Sequence, residues 1–323
     1  MLKRFIDNCI KNKIFTSNEK IIIAVSGGAD SLALADLLFR ARQRFNLTLC
    51  IAHFEHGLRG EDSLADADFV RKFAEDLNLE FLIESGNVKE FAQSNKLSIE
   101  TAARELRYQF LEKVLKNLKF DKIALAHHAD DQAETILMRI LRGAGSVGIS
   151  SMKFKSAKLV RPLLTFKKSE LEQYCQSRNL IPRIDLTNFE TNALRNKIRL
   201  ELLPKLQEYN PSIVDTLCRL GISAADDSDF IMSQAQKVFP SAVKMADSKL
   251  KLSKSIIKEQ HIALQRAIIR LFIERAVGSL KDFEFVHIES IRRVIVDDLK
   301  GVELPNKLRI DSRRGWLEIN NKD

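Results

Sequence analysis

Four short stretches hold most of the side chains that could do chemistry. The first is SGGADS, Ser26 to Ser31. Paired glycines let the backbone approach an anion closely or adopt φ above zero, and Ser26 and Ser31 add hydroxyl donors. Asp30 is the odd member, because a carboxylate beside phosphates repels them. It fits if it holds Mg2+, which bridges phosphate oxygens and prefers carboxylate ligands. The competing reading is a plain strand-to-helix turn capped by Asp30 or Ser31.

The second stretch, HHADDQAET, sets Asp130, Asp131 and Glu134 in a helix's first turn. Asp130 and Glu134 are four apart and share a face. A second carboxylate near Asp30 would complete a magnesium site; equally, acids there complement the helix dipole. The third, HFEHGLRG, offers His53, His56 and Arg59. Zinc needs more ligands than this loop supplies and no cysteine is near, so Arg59 as a contact to phosphate or base is the better reading. The fourth, ETAARELRY, puts Arg104 and Arg107 three apart on a helix, where ion pairs to Glu100 or Glu105 are the bland alternative.

The elements that must position these residues alternate. Ile21 to Val25 reads as a strand, followed by the glycine turn and a helix from about Asp30 to Phe45. Bare N–H groups at such a helix start suit an anion. Neither GxxxxGK[ST] nor GxGxxG is present, so this is a phosphate loop of another kind. Leu47–Phe54, Glu80–Ser85, Lys122–His128 and LVRPLL read as further strands. Between them lie helical patterns, the strongest capped by Ser98. The expectation is an α/β fold: a parallel, Rossmann-like sheet with helices on both faces, followed by a smaller, mainly helical domain. Ligands bind beyond the carboxyl ends of such strands, where the glycine turn, HFEHGLRG and HHADDQAE all fall. The expected domains are 1–214 and 215–323. The second is helical from about Asn210 and closes with two short strands around a turn in KLRIDSRRGWLEIN.

At 323 residues, two domains are expected. Composition is ordinary for a soluble protein, with 45% hydrophobic and 29% charged residues, and no apolar run reaches the ~18 residues of a membrane span. The N-terminal MLKRFIDNCIKNKIF reads as an amphipathic helix, not a signal peptide. Four scattered cysteines without a CxxC point to a reducing cytoplasm. A net charge of +9 suits a polyanionic partner, or only a lysine-rich surface. Arg266, Arg270, Arg292, Arg293, Arg313 and Arg314 are the second-domain candidates for nucleic-acid contact.

SGGADS resembles the SGGxDS signature of the PP-loop, or N-type, ATP pyrophosphatases. HFEHGLRG, ETAARELRY, AHHADDQAETILMRILRGAG, VRPLL and DLTNFETNALRNKIRLELLPKL follow in order over about residues 20–210. Together they resemble the tRNA(Ile)-lysidine synthetases. That resemblance implies ATP and Mg2+ as cofactors, with free L-lysine and tRNA(Ile) bearing a CAU anticodon as partners. The implied activity is ligation of lysine to C2 of the wobble cytidine through an adenylated intermediate, changing codon reading from AUG to AUA. It implies an ATP-binding set of Ser26, Gly27, Gly28, Ala29 (the variable position), Asp30, Ser31, His56 and Arg59. Asp30 and Asp130 would hold the metal, with Asp30, Asp130, Arg104 and His128 as the catalytic set. Ala129 stands where the family's acidic motif usually has Leu. Either Asp130 or His128 would take the amine's proton. Arg195, Asn196 and Arg199 are expected to face tRNA or lysine. The length corresponds to the shorter or middle form of the family, and the sequence leaves the oligomeric state open, a homodimer included. A sulfur-inserting PP-loop enzyme is disfavoured by the lack of paired cysteines. An amidating synthetase lacks room for a glutaminase domain. A non-catalytic RNA-binding protein would not need the intact Asp30, Asp130 and glycines.

Overall fold

The computed structural model describes residues 1–57, 61–183, 194–246, 249–280 and 282–321. The chain runs α1 (Leu2–Lys11), β1 (Lys20–Ala24), α2 (Ala29–Phe45), β2 (Thr48–Glu55), α3 (Glu61–Asp76), β3 (Glu80–Ser85), α4 (Val88–Asn95), α5 (Ile99–Asn117), β4 (Lys122–Ala124), α6 (Ala129–Leu141), α7 (Ser146–Ile149), β5 (Leu159–Val160) and α8 (Lys168–Ser177). Then come α9 (Leu194–Lys197), a π-helical turn at Ile198–Leu202, α10 (Leu203–Tyr209), α11 (Ile213–Ala242), β6 (Val243–Ala246), β7 (Lys249–Ser253), α12 (Lys254–Lys258), α13 (Ile262–Val277), α14 (Phe285–Val296), β8 (Gly301–Leu304), β9 (Leu308–Arg313) and β10 (Trp316–Asn321). Two compact units result: Met1–Met138 with Ser151–Cys218, and Arg139–Ser150 with residues from Arg219 onward.

In the first unit, β1 is an unbroken β-branched run because both faces of its sheet are covered. Ile21 and Ile23 point into a core shared with α1, α2, α3 and α8, while Ile22 points into one built with Phe110 and Leu111 of α5. The sheet is fully parallel, in the order β3-β2-β1-β4-β5. The chain steps outward from β1 to β3, then returns to add β4 on the other side of β1. The order in which strands are added therefore reverses at β1, between β2 on one side and β4 on the other, and a crevice opens past the carboxyl ends of β1 and β4 at such a switch point. β4 stops at Ala124, short of the expected His128, and β5 has only two residues. Pro162 lacks the N–H needed to extend β5. Ser98 caps α5 as expected, its Oγ accepting from the Thr101 N–H at 3.2 Å. Helices α4 and α8 were not legible as separate elements.

The second unit differs from a mainly helical expectation. Beside α12, α13 and α14 it holds a five-stranded antiparallel sheet ordered β6-β7-β10-β9-β8. The closing pair β9 and β10 turns through Arg314 (φ +48°) and Gly315 (φ +81°), a two-residue turn with both φ positive. The three strands missed from sequence, β6, β7 and β8, have four or five residues each. Alternations that short are masked by the helical periodicity around them. Their core gathers Leu252, Ile310 and Leu317 of the sheet with Phe272, Ile291 and Ile295 of the helices. Among the described residues, no helix is long and apolar enough to cross a membrane.

Candidate active site

Beyond the carboxyl end of β1 the backbone turns at Gly27, whose φ of +91° an L side chain rarely adopts. Its carbonyl accepts from the Arg183 N–H at 3.0 Å. Gly28 is the N-cap of α2, and no side chain caps this helix. The bland reading of SGGADS, a turn capped by Asp30 or Ser31, is therefore not what the structure holds. Ser31 instead ties the loop together: its hydroxyl donates to the Gly28 carbonyl at 2.9 Å and accepts from the Ser26 N–H at 3.2 Å. The open end of a 17-residue helix faces the crevice, where the dipole and free N–H groups favour an anion.

That loop lines a cleft of about 180 Å³, partly open to solvent. Ser26, Gly28, Asp30 and Ser31 form one wall; Ala52, Phe54, Leu111 and Leu125 supply an apolar floor; His56, Arg107 and His127 complete it. Asp30 Oδ1 is buried with no hydrogen-bond partner. A carboxylate oxygen left so costs desolvation energy unless a ligand satisfies it, and a cation bridging to phosphates would do so. Among the described residues, no three His, Cys, Asp or Glu side chains gather as a metal cage. Mg2+ takes one or two carboxylates and completes its shell with phosphate oxygens and water, so the orphaned Asp30 oxygen is of a kind that could hold it beside phosphates.

His128, buried at the start of α6, gathers the carboxylates. Its Nε2 lies 3.5 Å from Asp30 Oδ2 and 3.4 Å from Asp131 Oδ2, and its Nδ1 lies 3.5 Å from Asp130 Oδ2. Burial opposes a charge there, but Asp130, Asp30 and Asp131 outweigh it and push the imidazole pKa up to about 10. In this arrangement His128 holds a proton between acids. A dication on Asp30 would compete with that imidazolium. Burial pushes the Asp130 carboxyl up, but His128 and the Lys168 N–H, 2.8 Å from Oδ2, bring it below its usual value.

Asp131 and Glu134 have another task. The Arg195 Nε donates to Glu134 Oε2 at 2.8 Å and its Nη2 to Asp131 Oδ1 at 2.6 Å. Arg199, one turn further on, donates from Nη2 to Glu134 Oε2 at 3.0 Å. In the structure the guanidinium groups of Arg195 and Arg199 neutralise two buried acids of α6. The sequence carried a signal for this, since arginines four apart on a helix complement acids three apart on another.

The remaining expected residues divide. His53 is a satisfied core histidine, its Nδ1 2.9 Å from the Val25 carbonyl. His56 lines the cleft, packed edge-on to Phe54. Burial and then Arg107 lower its pKa to about 4. Arg59 lies outside the described residues. Arg104 is exposed, its guanidinium 5.0 Å from the Tyr108 ring centroid. Arg107 does not pair with Glu100 or Glu105 but turns into the cleft. Three of the four cysteines are buried. Burial pushes the thiols of Cys9 and Cys50 up to about 12 and that of Cys175 to about 11, so none is poised for sulfur chemistry.

A family model for the PP-loop domain matches residues 1–206. The tRNA(Ile)-lysidine synthase of Clostridium acetobutylicum is 37% identical over the whole of this chain and 70% of its own length. The chain belongs to the tRNA(Ile)-lysidine synthase family. The synthase of Caldanaerobacter subterraneus is 34% identical over 91% of this chain, which spans 63% of that relative; for Geobacter sulfurreducens the figures are 37%, 95% and 65%. The chain thus covers about two thirds of the length of these family members. Among solved structures, the U34-tRNA thiolase NcsA of Methanococcus maripaludis superposes with a TM-score of 0.58 over 69% of this chain and 79% of that one, at 20% identity. That likeness concerns the fold. The matched PP-loop domain supports the use of ATP.

Proposed function

We propose that this chain ligates free L-lysine to C2 of the wobble cytidine of tRNA(Ile) with a CAU anticodon, consuming ATP and releasing AMP and pyrophosphate in the cytoplasm. One observation carries the reading. The uncapped start of α2, behind the positive-φ Gly27, meets the orphaned Asp30 carboxylate at the switch point between β1 and β4.

The chemistry follows from the substrates. The C2 oxygen of cytidine attacks the α-phosphorus of ATP, and pyrophosphate leaves. The ε-amine of lysine then adds at C2, loses its proton, and AMP departs with the oxygen. N–H groups of the loop and of α2 bind the phosphates in a fixed geometry. Asp30 and Asp130 would hold Mg2+, whose charge offsets that of the departing pyrophosphate. Lysine's amine must be neutral to attack, although its free pKa is ~10.4, so its proton must leave before or during the attack. Steady-state pyrophosphate release should require lysine and tRNA together. Sustained release with either one omitted would refute the ligation.

The second unit is proposed to contact tRNA. Arg293, Arg313 and Arg314 are exposed, whereas Arg266 and Arg292 both bind Glu289, at 2.6 and 3.1 Å. Each phosphate contact adds about −0.7 to −0.9 to the log–log salt slope of binding. Replacing Arg293, Arg313 and Arg314 with Ala should flatten the slope by roughly 2 units or more. Replacing Arg266 and Arg292 should change it less. A wild-type slope near zero would remove the basic surface from the account.

A further inference from the structure

The N-terminal helix α1 carries none of the active-site signatures, yet it grips the segment that holds Asp130. Arg4 and Asn8 are four apart and share a face of α1. Asn8 donates from Nδ2 to the Pro162 carbonyl at 2.9 Å, and Arg4 donates from Nη2 to the Thr165 carbonyl at 2.6 Å. The Arg4 guanidinium also lies over the Phe166 ring, 4.5 Å from its centroid, and pairs through Nη1 with Glu170 Oε1. Glu170 in turn accepts the Lys167 N–H at Oε2, 2.8 Å away, and so shapes the first turn of α8. Lys167 is the N-cap of α8, and a lysine side chain has no acceptor to offer a helix start. The acceptor comes from α6 instead: Asp130 Oδ2 receives the Lys168 N–H at 2.8 Å. The exchange is mutual, because the Ala129 N–H at the start of α6 donates to the Phe166 carbonyl at 2.8 Å. Each helix start thus has an orphan N–H satisfied across the contact.

We propose that Arg4 is a positioning residue for the reaction: by holding the turn from Thr165 to Glu170, it fixes the Lys168 N–H that anchors the Asp130 carboxylate. This rests on the lysine-ligating reading above, which sets Asp130 beside the reacting phosphates. Asp130 Oδ2 also faces His128 Nδ1, but at 3.5 Å, the long limit for a hydrogen bond. The shorter contact to Lys168 therefore sets where the carboxylate stands. A misplacement of about 1 Å at a reacting centre can cost ~10²-fold in rate. Arg4 is about half exposed, and an ion pair so placed adds little to stability in water. What it supplies is direction. A guanidinium fork holds two acceptors, the Thr165 carbonyl and Glu170 Oε1, at a set separation, which a lysine ammonium cannot do.

Measurements on Arg4→Ala separate positioning from mere support. In the unligated protein the Lys168 amide should exchange with D2O at least about tenfold faster than in wild type, with the amides of β1 unchanged. The variant should melt within about 3 °C of wild type. In lysine transfer to tRNA, kcat should fall roughly five- to twentyfold while KM for ATP and for lysine stays within about twofold. Arg4→Lys, which keeps the charge without the fork, should fall between in both exchange and kcat. In an Asp130→Asn background, adding Arg4→Ala should lower kcat by less than about twofold, because the carboxylate through which Arg4 acts is already gone. A loss that multiplies in full in that background would overturn the assignment. So would a wild-type exchange rate at Lys168, a kcat within about twofold of wild type, a loss confined to KM, or a melting point more than about 3 °C lower. If the Lys168 amide responds as expected but wild-type protein transfers no lysine, the ligation reading falls and the anchoring of Asp130 stands.

Discussion

Asp30→Asn should lower ATP-dependent pyrophosphate release by at least about a hundredfold without disturbing the fold. The substitution keeps the shape of the side chain and removes its charge. Asp30 Oδ1 is the buried oxygen that no protein group satisfies, and Oδ2 faces the buried His128. Losing one preorganised electrostatic element at a centre of developing charge commonly costs 10²–10³ in rate. Asp130→Asn should act in the same direction with little effect on packing, since an amide oxygen can still accept from the Lys168 N–H that Asp130 now receives at 2.8 Å. Near-normal turnover of either variant at low millimolar Mg2+ would remove the metal assignment. Melting curves within about 2 °C of wild type would confirm that chemistry, not folding, was lost.

Glu134→Ala should be the most destabilising single change in the first unit. Glu134 is 1% exposed, and it receives Arg195 and Arg199 together. Removing it leaves two guanidinium groups to share Asp131 in a largely dry place. Breaking one side of a buried ion-pair network costs about 3–5 kcal/mol. For a unit of this size that is a fall in melting temperature of roughly 6–20 °C. Activity should fall with it, because Asp131 also accepts the His128 N–H at 3.0 Å and so fixes the start of α6 beside Asp30 and Asp130. A loss below about 1 kcal/mol by calorimetry would mean that the arginines find other partners and that the network is not structural.

The first unit was readable because its strands are apolar runs bounded by glycine or polar turns, and each signature stood beside a strand end. Asp30 lies about a hundred residues before His128 and Asp130, yet the parallel topology alone brings β1 and β4 side by side. What the sequence hid was direction. Arg107 looked like any arginine on an amphipathic helix, and only the packing of α5 on the sheet turns it into the cleft. Arg195 and Arg199 looked like substrate contacts because basic residues in a family motif invite that reading; the acids that claim them lie more than sixty positions earlier. His128 looked like a free base until three carboxylates were seen to surround it. The second unit was half legible: the β9–β10 hairpin announced itself through its turn, while β6, β7 and β8 were too short to stand out.

Transfer of labelled lysine to tRNA tests the central claim most directly. To react, the wobble base must leave its stack, since its C2 oxygen has to meet the α-phosphate of ATP and C2 then has to meet an amine. A pocket shaped for cytidine presents acceptors to its amino group and a donor to N3. Uridine, with O4 and an N3–H in those places, leaves polar groups unpaired at roughly 1–3 kcal/mol per mismatch. The measurement compares tRNA(Ile) carrying CAU with the same molecule carrying UAU. The account predicts ATP-dependent labelling of the first and background labelling of the second. Comparable labelling of both, or labelling of neither while ATP is still cleaved, would contradict it.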